Sequence, residues 1–172
     1  MAILNMVVNN KLERISKDLK YAVELTALYP DRISFKRQKL PDGELSVFDL
    51  ESTKFETIEY SVKKEDGVVN FYRQSGFDSP EKMFNVRQCN SEVFRGYVLM
   101  AEREQNSSLK KLPFPSFRTF DTHSQNSTDL ARIPIIKISM ELQTRVDKIF
   151  MVSKVFMPMI YSRLVEPDWN TE

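Results

Sequence analysis

One cysteine, one histidine and four glycines in a chain of 172 residues remove most ordinary catalytic sites from consideration. Phosphate-binding loops need clustered glycines, because backbone N–H groups must approach the anion closely. Gly43, Gly67, Gly76 and Gly96 stand far apart, and neither common nucleotide fingerprint is present. Structural zinc takes about four Cys or His ligands, and Cys89 with His123 falls short of that. A lone cysteine also excludes an internal disulfide and fits a reducing compartment.

The two scarce residues have unpromising neighbours. His123 lies between Thr122 and Ser124 in polar sequence, with nothing to hold an imidazole in geometry, so a solvated loop histidine is expected. Cys89 sits in Val86–Asn90, which forms no nucleophile motif. Arg87 is the neighbour able to lower its pKa, and an inert thiol is expected.

Long hydrophobic runs are missing as well. A membrane-spanning helix needs about 18 or more apolar residues, and no such stretch occurs. The opening residues 1–10 lack a basic start, and Asn5 breaks their apolar run, so they do not read as a signal peptide. The expectation is an intracellular protein, cytoplasmic or nuclear, not exported by a classical signal.

What is present suits a globular domain. Hydrophobic residues make up 41% and aromatic residues 11%. A domain of about 150 residues buries roughly 70% of its unfolded surface, so a single domain over 1–172 is expected to need neither disulfide nor cofactor. Net charge is +1, unevenly spread: residues 1–40 carry +4, residues 41–66 carry −5 and residues 67–172 carry +2. Two solvated faces explain this as readily as a polar molecule does.

The patterning predicts an α+β fold with an antiparallel sheet. Asn9 or Asn10 caps a helix expected to reach Tyr29, with Leu12, Ile15, Leu19, Ala22 and Val23 at helical spacing. Residues 32–73 read as two hairpins. Strands are expected at Arg32–Lys36, Leu45–Leu50, around Ile58, Tyr60 and Val62, and at Val68–Arg73. Ser79-Pro80-Glu81 reads as a helix start. Ser91-Glu92 opens another, although Val93, Tyr97 and Leu99 also fit a strand. Residues 105–130 read as a long polar loop. Ile136, Ile138, Met140 and Leu142 alternate with polar residues in a strand near 135–143. Pro158 divides the apolar block that follows, and 165–172 reads as a frayed tail.

Three functions remain open. The first is a non-enzymatic protein-interaction or assembly protein, such as a small structural or accessory protein of a virus or phage. Methionine and aromatic residues adapt to partner surfaces, and Met151, Phe156, Met157, Met159 and Tyr161 concentrate them near the C-terminus. A protein partner or self-association is expected. The second is single-stranded nucleic-acid binding by two basic-aromatic segments. One contains Arg32, Phe35, Lys36, Arg37 and Lys39; the other contains Lys110, Lys111, Phe114, Phe117 and Arg118. Cations neutralise phosphates and aromatic rings stack unpaired bases. The third is a carboxylate-metal hydrolase built on Asp49 and Glu51, which share one strand face. The spacing from Glu51 to Lys54 is one residue too long for an acid-x-Lys strand motif.

Overall fold

The computed structural model describes residues 2–39, 54–100, 116–146 and 148–164. Its architecture is α+β: two antiparallel sheets, an N-terminal helix and two short helices. Helix α1 (Ala2–Lys20) buries Val8, Ile15 and Leu19, with Leu12 packed beside them. That spacing of four, three and four draws one apolar stripe along the helix.

The first sheet is a meander whose strands neighbour one another in chain order. It comprises β1 (Ala22–Tyr29), β2 (Arg32–Gln38), β3 (Phe55–Glu65), β4 (Val68–Ser75) and β5 (Glu81–Val86). The expected alternation in β2, β3 and β4 is present, with Ile33, Phe35, Ile58, Tyr60, Val69 and Phe71 buried. Asp66 and Gly67 join β3 to β4 with φ of 51° and 75°. Two consecutive positive φ values make the tight hairpin turn that matches strand twist. The expected strand Leu45–Leu50 lies outside the described residues.

Two expected helices are strands, and the first helix is displaced. It begins at Ala2, ahead of the expected Asn cap, and ends at Lys20 rather than near Tyr29. Ala22–Tyr29 instead pairs with β2 along its length. Val23, Thr26 and Tyr29 favour strands, and the ladder with β2 decides between two patterns the apolar spacing allowed. Ser79-Pro80-Glu81 leads into β5, where Met83, Phe84 and Val86 are buried. The Phe84 ring stacks on Phe71 with centroids 4.2 Å apart, a contact made by pairing with β4.

The second sheet runs β10-β9-β7-β8, with β6 also on β9. Its strands are β6 (Gln88–Cys89), β7 (Phe94–Leu99), β8 (Phe117–Thr119), β9 (Ile135–Gln143) and β10 (Lys148–Phe156). The helix expected from Ser91 is therefore β7. The described part of the expected polar loop is structured too. It holds β8 and the short helix α2 (Ser127–Leu130), which Asn126 caps by accepting from the Thr128 N–H at 2.9 Å. Pro158 does divide the C-terminal block, as the first residue of α3 (Pro158–Leu164) after β10.

Both sheets share one buried cluster with residues from all three helices. Helix α1 packs on β10 and β2, while β7, α2 and α3 pack on β1. The N–H groups of Val93 and Phe94 donate to the Pro30 carbonyl at 2.7 and 3.0 Å, fastening the start of β7 to the end of β1. No helix among the described residues is long and apolar enough to cross a membrane.

Candidate functional site

Ionisable groups gather at one place inside the fold. Asp18, near the end of α1, is buried against the inner face of the first sheet. One of its oxygens accepts from Arg37; the other accepts from the Tyr60 hydroxyl at 2.6 Å and the Arg73 Nε–H at 3.0 Å. Arg37 also donates to Glu56 through Nε at 2.8 Å, and Ser75 Oγ donates to the other Glu56 oxygen at 2.8 Å. Two carboxylates thus face two guanidiniums. Burial alone raises the Glu56 pKa, but the Ser75 and Arg37 hydrogen bonds, with the Arg37 and Arg73 charges, hold it below its ordinary value. Burial, together with the Asp18 charge, raises the Tyr60 pKa. Asp18 and Glu56 spend their oxygens on neighbours, so the cluster works as a clamp joining α1 to β2, β3 and β4.

The exposed surface is more distinctive at the sheet edges. Strand edges carry unpaired backbone groups, and proteins usually shorten, bend or cover them. Edge strand β8 has three residues. The ladder between β4 and β5 is broken by a register shift. Strand β1 has two such shifts and is covered as well. The Gln125 amide accepts from the Leu28 N–H at 3.2 Å and donates to the Leu28 carbonyl at 2.6 Å. Arg163 donates to the Val23 carbonyl at 2.9 Å.

Strand β10 has none of these protections among the described residues. It pairs with β9 over nine consecutive residues without a shift. Its outer face carries Lys148, Phe150, Val152, Lys154 and Phe156. Phe150 is 70% exposed, Val152 44% and Phe156 46%, and Met159 at the start of α3 is 48% exposed. The opposite face of β10 turns towards α1, with Ser153 Oγ 3.4 Å from Ser16 Oγ. The pairing registers also align Lys154, Lys137 and Arg95 in one row across β10, β9 and β7. Arg95 is engaged by Glu92.

The basic-aromatic segment of β2 does not assemble. Phe35 is fully buried, 6.4 Å from the Tyr60 ring, and offers no face to a base. Arg37 is committed to Asp18 and Glu56. Lys36 pairs with Glu24 at 2.9 Å, and Arg32 lies over the Tyr29 ring at 4.6 Å. Lys39 is exposed. In the second segment, Phe117 is half-buried and Arg118 bonds Asp129 at 3.0 Å. Lys110, Lys111 and Phe114 lie outside the described residues.

The C-terminal residues divide between core and surface. Met157 is fully buried, which corrects its assignment to an interface. Met151 is half-buried against the core. Phe156 and Met159 are exposed, and the half-buried Tyr161 packs its ring 5.3 Å from that of Phe156. Phe150, part of the same methionine- and aromatic-rich block, and Val152, which composition does not mark, complete the face. Ile149–Val152 is apolar on both faces, so no alternation in the sequence marks them; the alternation lies in their exposure.

No family model, curated protein or solved structure matches this chain.

The scarce chemical residues remain in plain surroundings. Cys89 lines a groove with Asn90, Glu141 and Lys148. Burial pushes its thiol up to about 11, and the charge of Glu141 adds to the rise. Burial rather than Arg87 therefore governs it, and the thiolate is scarce at neutral pH. His123 is exposed, its backbone N–H donating to Asp121 at 2.9 Å. No group of three or more His, Cys, Asp or Glu side chains suited to a metal occurs among the described residues. Asp49 and Glu51 lie outside them.

Proposed function

We propose that this is a non-enzymatic protein-interaction or assembly protein that docks another polypeptide through β10. The observation that supports the reading is the combination of a long, unshifted edge and an exposed apolar face on one strand. An edge strand supplies backbone hydrogen bonds to an added strand, and alternate side chains supply specificity. Phe150, Val152 and Phe156 provide the apolar anchors, rimmed by Lys148 and Lys154.

The row formed by Lys154, Lys137 and Arg95 favours a second reading. Beside exposed aromatic residues, it suits a single nucleic-acid strand laid across the second sheet. Near-neutral net charge makes a general polyanion binder a poor fit.

Sedimentation velocity on the purified protein tests the first reading. The expected species is larger than one chain, and Phe156→Lys reduces it to a single chain without changing the far-UV circular dichroism spectrum. Phe156 is half-exposed, so the variant's fold is retained. A single chain at every concentration, with no partner chain co-purifying, overturns the reading. Absorbance of the same boundary reports bound nucleic acid and supports the second reading instead.

A further inference from the structure

Resting on the reading of β10 as a docking edge, we infer that its partner is β10 of a second copy, paired antiparallel about a two-fold axis at Val152. The argument comes from the order of side chains on the exposed face, which runs Lys148, Phe150, Val152, Lys154, Phe156. Antiparallel pairing centred on Val152 sets Lys148 opposite the partner's Phe156. It sets Phe150 opposite the partner's Lys154, and Val152 opposite the partner's Val152. Each lysine therefore meets an aromatic ring, and none meets another lysine. Opposed side chains on one face of an antiparallel pair stand about 4.5–5.5 Å apart at Cβ, close enough for such pairs to interact. An ammonium group is attracted to the face of an aromatic ring.

The register is selective. Pairing centred on Met151 sets Lys148 opposite the partner's Lys154, placing like charges face to face. Pairing centred on Ser153 leaves Lys148 without an opposite strand residue, because β10 ends at Phe156. Only the register centred on Val152 pairs all nine residues. On the inner face it sets Ile149 opposite the partner's Val155 and Met151 opposite the partner's Ser153, with no charge on either side. Lysine on an edge strand usually discourages pairing; here the same lysines select one pairing. The contact is isologous and closes as a dimer rather than propagating as a filament. It joins two four-stranded paths into one continuous sheet, β8-β7-β9-β10 followed by β10-β9-β7-β8 of the partner.

A charge-swap pair tests this. Val152→Lys and Val152→Glu each place like charges at the two-fold axis, so each variant alone is expected to sediment as a single chain. Mixed in equal amounts, they place opposite charges there and are expected to recover the dimer. Matching far-UV circular dichroism spectra for the wild type and both variants establish that folding is intact. Val152→Cys supplies a second measurement. Under mild oxidant it is expected to form a disulfide-linked dimer, whereas Phe150→Cys, opposite the partner's Lys154, is not. If the wild type self-associates, Phe156→Lys abolishes this, and both Val152 variants still dimerise, the two-fold pairing is overturned while docking through β10 stands. If mixing fails to recover the dimer, the pairing is overturned. If β10 binds only a different chain, the second copy is overturned and the docking reading survives.

Discussion

Gly96 of β7 faces Leu28 of β1 and Ile133. A methyl group added there would stand 2.5 Å from Leu28 Cδ2 and 3.0 Å from Ile133 Cγ2, both on fully buried residues. Replacing a strand glycine by alanine ordinarily helps, because it reduces the entropy of the unfolded chain. Overpacking opposes that gain and costs about 1–3 kcal/mol. Gly96→Ala is therefore expected to be destabilising, and a lower urea midpoint at unchanged slope is the measurement that shows it. Glu56 gives a prediction in pH. Its folded pKa lies below its unfolded value, so its contribution is complete above the unfolded pKa of about 4.3 and disappears as pH falls through the folded value. Glu56→Gln is expected to flatten the loss of stability in that acid range, followed by denaturant titration at stepped pH. A profile parallel to that of the wild type contradicts the assignment.

Among the elements, the edges of the two sheets are treated differently. Gln125 serves the backbone of β1 as another strand would, since its amide supplies one donor and one acceptor to Leu28. Gln125→Ala leaves both Leu28 groups unpaired, and an unsatisfied buried polar group costs about 1–3 kcal/mol. The expected result is a lower melting temperature and faster amide exchange at Leu28. Unchanged exchange there contradicts the role. Strand β10 lacks a comparable cover among the described residues, and its outer face leaves Phe150, Val152 and Phe156 exposed, which is why the proposed docking is placed there.

Across the whole molecule, the buried cluster draws on both sheets and on α1, α2 and α3. The Asp18 clamp ties α1 to the first sheet, while α1 also packs on β10 of the second. Elements that share one core lose their packing together. The expectation is one cooperative unfolding transition, coincident by far-UV circular dichroism and tryptophan-free tyrosine fluorescence of a Trp169→Phe variant. Two separated transitions show that the sheets unfold independently.

Much of the fold was legible in local pattern. Alternation of apolar and polar residues fixed β2, β3, β4 and β9, and the Asp66-Gly67 turn was marked by its residue types. Leu12, Ile15 and Leu19 marked the buried stripe of α1. The scarcity of histidine, cysteine and glycine by itself narrows the possible chemistry. Local pattern failed where helix and strand spacing coincide. Residues 22–29, 81–86 and 94–99 carry apolar residues compatible with either period, and only their ladders with β2, β4 and β9 decided for strand. The candidate site was legible in composition but not in membership. Met157 and Phe156 are adjacent and both apolar, yet one is buried and the other exposed. Arg37 and Lys36 are adjacent cations, yet one is bound into the interior. Which side of a strand faces the core, and which edge of a sheet is left uncovered, depends on segments distant in sequence, and only tertiary packing settles that.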